Sequence, residues 1–83
     1  MTEKNETKKK DWFDTGYREG TAFARLEADY DEVAAVHRAG AIPASWDLYR
    51  AEILNRFMGE KNFDFAAYSS GFARACSNFF DRI

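Results

Sequence analysis

The chain has 83 residues, a net charge of −2 and 31% charged side chains, enough for one domain with a modest core. Cys76 is its only cysteine, which excludes an internal disulfide framework and a cysteine-based zinc site. No apolar run approaches the roughly 20 residues of a membrane span, or the apolar stretch of a signal peptide, so a soluble, cytoplasmic protein is expected.

Residues 1–10 carry Lys4, Lys8, Lys9 and Lys10 against Glu3 and Glu6 and read as a flexible polar tail. From there to residue 83 the apolar spacing is helical, with no alternating β-branched run to suggest a strand. The fold class is all-α, a small compact bundle of three to four helices in a single domain, 11–83.

Asp11 is placed to cap the first helix by accepting from the free amides of its first turn. Phe13, Tyr17, Gly20, Ala24 and Glu27 mark one side of that helix, with Gly16 and Phe23 beside them. Leu26, Tyr30, Val33 and His37 continue the phase, but Asp29 followed by Glu32 forms a capping box, and a break or kink is expected at 29–31. Gly40 reads as the C-terminal cap of the second helix, and Pro43 opens the next element.

The third segment, 45–58, places Trp46, Tyr49, Ile53 and Phe57 in one sector, with Leu54 alongside and Leu48 on the opposite side. Gly59 stops it, and Asn62 is the expected cap of a last helix reaching Phe80 or Asp81.

A shift of 51 positions aligns Asp11-Trp12 with Asn62-Phe63, Tyr17 with Tyr68 and Gly20 with Gly71. Both stretches read Tyr-x-x-Gly-x-Ala-x-Ala. Gly16, Gly20 and Ala24 recur every four residues, as do Ala67, Gly71 and Ala75, so each set lies in one stripe along its helix. A mid-helix glycine costs about 0.5–1 kcal/mol relative to alanine, and the usual compensation is close approach of a neighbouring backbone. The first and last helices are therefore expected to pack tightly through these stripes, within one chain or between two, with Tyr17 and Tyr68 flanking the contact.

Chemistry is hard to place. The acidic group Glu27, Asp29, Asp31 and Glu32 lacks the ligand order and glycine of a calcium loop, and the single His37 has no metal-ligand spacing to a second residue. Cys76 sits between Ala75 and Ser77 on a packing helix, where a thiol behaves as a small hydrophobe. No phosphate-binding glycine loop follows a strand. No catalytic residue, cofactor site or metal site is nominated, and the polar faces mix acids and bases rather than presenting a basic membrane-binding side.

What stands out is aromatic content, 17% of the chain, alongside few aliphatic residues. Aromatic excess marks interfaces. Leu48, Phe65, Phe72 and Phe79 are the candidate partner surface, because they fall off the expected core faces of their helices. The leading expectation is a protein-interaction or assembly module, acting as a homodimer or an accessory subunit. The alternative is a regulatory nucleic-acid-binding protein using 33–57 as a helix-turn-helix-like hairpin. The mildly acidic body and the scarcity of basic residues at 45–50 make nucleic acid the less favoured partner.

Overall fold

The computed structural model describes residues 11–82, so the expected tail at 1–10 lies outside the described residues. It is all-helical, with α1 at Trp12–Ala22, a π-helical turn at Phe23–Glu27, α2 at Tyr30–Ala39, α3 at Asp47–Arg56 and α4 at Phe65–Arg82.

The local signals act where the side chains require. Asp11 accepts from the Asp14 amide at 3.1 Å and caps α1. The Asp29–Glu32 capping box is fully formed, with hydrogen bonds of 3.0 and 3.1 Å, and Ala28 is extended just before it. The chain thus breaks at Ala28-Asp29 instead of running on as one helix. Gly40 closes α2 with φ of 69°, in the left-handed region that glycine enters without a Cβ clash.

Two boundaries differ from expectation. The π-turn has no counterpart in the apolar spacing; the Ala28 amide reaches back five residues to the Phe23 carbonyl at 2.8 Å. The cap of α4 is Asp64, not Asn62: its carboxylate accepts from the Ala67 amide at 3.1 Å, while residues 60–63 are still in a turn.

Helix α4 is the centre of the molecule. Tyr68, Ser69, Gly71, Phe72, Ala73, Ala75 and Cys76 are all buried, which leaves it little solvent-facing surface along its middle. Its neighbour α1 runs in the same direction. Trp12 meets Phe63 edge-on at 4.8 Å at one end, Gly16 meets Tyr68, and Gly20 meets Phe72 and Ala75 further along. A Cβ placed on Gly20 would stand 2.6 Å from the Phe72 carbonyl oxygen, and one on Gly71 would stand 2.9 Å from the Tyr17 nitrogen. Nothing larger than hydrogen fits at those points.

Helix α2 packs on α4 through Val33 and Val36, both buried. The loop after it is fastened by the Ile42 amide, which donates to the buried Ser69 Oγ at 2.7 Å. Helix α3 is held differently, by long aromatic side chains. Trp46 and Tyr49 lie against Phe23 at 6.0 and 5.8 Å, and Phe57 against Trp12 and Tyr68 at 5.1 and 5.6 Å. Aromatic rings thus fill the space that a chain poor in aliphatic residues leaves to be filled.

Candidate functional site

The stripe residues lie where the sequence places them. Gly16, Gly20 and Gly71 are buried at the α1–α4 seam, Ala24 and Ala75 continue it, and Ala67 is half-buried near its start. Each flanking tyrosine reaches the opposite helix. The Tyr17 hydroxyl accepts from Asn78 Nδ2 on α4 at 2.6 Å, and the Tyr68 hydroxyl donates to Glu19 Oε1 on α1 at 2.6 Å.

Glu19 also pairs with Arg56, whose Nη2 donates to the Tyr68 hydroxyl at 3.2 Å. This trio ties α1, α3 and α4 together, and sequence spacing gave no sign of it. Burial and the Glu19 carboxylate push the Tyr68 hydroxyl above the ordinary tyrosine range, because both disfavour its anion. Tyr49 is pushed up to about 12, first by burial and then by Glu27, Glu19 and Glu52. An open cleft of about 500 Å³ runs beside this group between α3 and Tyr68 of α4.

A second cavity, of about 250 Å³, opens at the far end of the α1–α4 seam, with Ala24 and Ala75 in its lining together with Tyr17, Arg25 and Phe79. Among the described residues, no group of three or more His, Cys, Asp or Glu is placed to hold a metal ion, and no helix is long and apolar enough to cross a membrane. Cys76 is fully buried and its thiol is raised to about 11 by that burial, which suppresses the nucleophilic thiolate. His37 is exposed and shares a hydrogen bond of 2.8 Å with Ser77 Oγ.

The four candidate surface residues separate. Phe72 is a correction: it is fully buried at the centre of the core, against Phe23 at 5.0 Å and Tyr49 at 6.1 Å. It falls off the glycine stripe because it faces α3, not solvent. Phe65 is half-buried beneath the Arg50 guanidinium at 4.8 Å, and Phe79 is half-buried beside the second cavity.

Leu48 stands in the open at 87% exposure. It has company, including Leu54, which the apolar spacing sets alongside the packed sector. Met58 is 68% exposed and Leu54 46%, and Ala51 between them is exposed too. At 100° per residue Leu48, Ala51 and Leu54 lie within about 120° of one another around the helix, opposite the sector that packs on the core, and Met58 follows in the turn after the helix ends at Arg56. Helix α3 therefore carries exposed aliphatic side chains on its outer side, interleaved with Asp47 and Asn55. Its inner side holds Trp46, Tyr49, Ile53 and Phe57, and nothing among the described residues lies over its outer side.

No family model matches this chain, and no curated protein or solved structure matches it.

Proposed function

We propose that this protein is a small helical interaction module whose docking surface is the outer face of α3. The observation that carries the reading is the group of exposed apolar side chains on the outer side of that helix and the turn after it: Leu48, Ala51, Leu54 and Met58. A helix on the edge of a bundle ordinarily turns mostly charge to water on its outer side, whereas here large aliphatic side chains stand exposed among Asp47 and Asn55. Covering Leu48 and Met58 alone would contribute roughly 1.5–3 kcal/mol each, a useful share of a moderate affinity.

The reading is of a protein without catalytic chemistry, acting as a homodimer or as an accessory subunit. Its rigid part is the α1–α4 pair, and α3 is displayed on that platform by aromatic side chains. Duplex binding through the α2–α3 hairpin draws less support. The opening turns of α3 present Asp47 and Leu48 outward, and Arg50 is turned inward, donating to the Ile42 carbonyl and lying over Phe65.

The test is capture from the native cell with the wild-type chain and a Leu48→Asp, Met58→Asp variant, after circular dichroism shows that both are folded. A partner, whether a second copy or another protein, retained by the first and lost by the second supports the reading. Retention that ignores those two positions contradicts it.

A further inference from the structure

We propose that the cavity at the far end of the α1–α4 seam binds a small amphiphilic carboxylic acid, with an aromatic or branched aliphatic body of about ten heavy atoms. No residue of α3 lines this cavity, so the proposal is independent of the docking face.

The seam is closed to a single atom's width at Gly16, Gly20 and Gly71, where the two backbones touch. One turn beyond Gly20 the small residues are alanines, the chain enters its π-turn, and the space between the helices opens to about 250 Å³. An apolar cavity of about 150 Å³ takes up benzene, so this volume has room for a ring with a short side chain. The floor is apolar, from Ala24 and Ala75, and Phe79 supplies a ring wall.

Tyr17, Asn78 and Arg25 bring polar groups to the lining. The Tyr17 hydroxyl accepts from Asn78 and keeps its own proton to donate to a ligand oxygen. Arg25 lies on the same lining, is exposed, and makes no ion pair among the described residues. A guanidinium and a phenol donor beside an apolar floor recognise a carboxylate carried on an apolar body. The backbone adds a second indication. Ala24 and Arg25 reach the lining from the π-turn Phe23–Glu27, and such turns are rare and concentrate at functional sites.

The test is a nuclear magnetic resonance titration of the full chain with phenylacetate at neutral pH, with neutral phenylacetamide as the comparison. The expected result is saturable shifts confined to the amides of Tyr17, Thr21, Ala24, Ala75 and Asn78, with a dissociation constant of about 1 mM, as fits a ligand of this size. Phenylacetamide is expected to bind about tenfold more weakly, and so is phenylacetate to the Arg25→Gln variant, whose exposed position leaves the fold intact. Tyr17→Phe keeps the ring, loses the hydroxyl and is expected to weaken binding about threefold or more. Absence of saturation by about 20 mM, shifts centred elsewhere, or unchanged affinity in Arg25→Gln would overturn the proposal.

Discussion

Gly16 on α1 lies flat against the backbone of Tyr68 on α4, so close that a methyl group on Gly16 would come within 2.7 Å of the Tyr68 carbonyl carbon. The same two helices are linked again one turn on, because the Tyr68 hydroxyl donates to Glu19 of α1. One glycine sets the distance between the helices, and one tyrosine sets their register.

Gly16→Ala therefore pits two effects against each other. Alanine is the better helix former by about 1 kcal/mol, but its methyl would have to push two backbones apart. Overpacking against backbone costs roughly 1–3 kcal/mol and sometimes more, so a net loss of about 1–2 kcal/mol is expected in urea unfolding. Gly59→Ala is the control: nothing lies within 4 Å of a Cβ there and its φ is not positive, so its effect should be within about 0.5 kcal/mol.

Ser69→Ala should cost about 1–3 kcal/mol although it removes one oxygen. The Ile42 amide donates to that hydroxyl in the core, and alanine would leave the amide buried without a partner. Hydrogen exchange at the Ile42 amide should accelerate more than that of the interior amides of α4, because the loop loses its anchor.

Alkaline pH should loosen the fold in a definite order. Burial raises Cys76 from its ordinary 9.0 to about 11, and Tyr49 rises from 10.0 to about 12. In each case the unfolded chain loses its proton first. The stabilisation is complete below the unfolded value and drains away as pH rises through the folded one. Stability measured by thermal melting should hold to about pH 9, then decline through about pH 12. In Cys76→Ala the onset should move to about pH 10, where only the tyrosines contribute.

The helix ends were legible because caps are local chemistry. Asp11, the Asp29–Glu32 box and Gly40 act through their own turns and need no tertiary knowledge. The glycine stripe was legible for a related reason, since mid-helix glycines have few uses besides close approach. Phe72 was misplaced because a single apolar sector was assigned to α4, whereas α1, α2 and the rings of α3 all lie against it. The Glu19–Arg56–Tyr68 trio joins residues as far as 49 positions apart, and no periodicity within one helix reports such a meeting. Leu48 was identified by its isolation on α3. Leu54 was set alongside the packed sector although it stands 46% exposed, and Met58 was read only as the end of the segment.

The most direct measurement of the central claim replaces Ala51, at the middle of the outer face of α3, with a photo-crosslinking phenylalanine in the native cell. The same replacement at exposed Arg38 on α2 serves as the reference. The account predicts a discrete adduct from position 51 and not from 38, to a second copy or to another protein. No adduct at 51, or the same adducts from both positions, would contradict it.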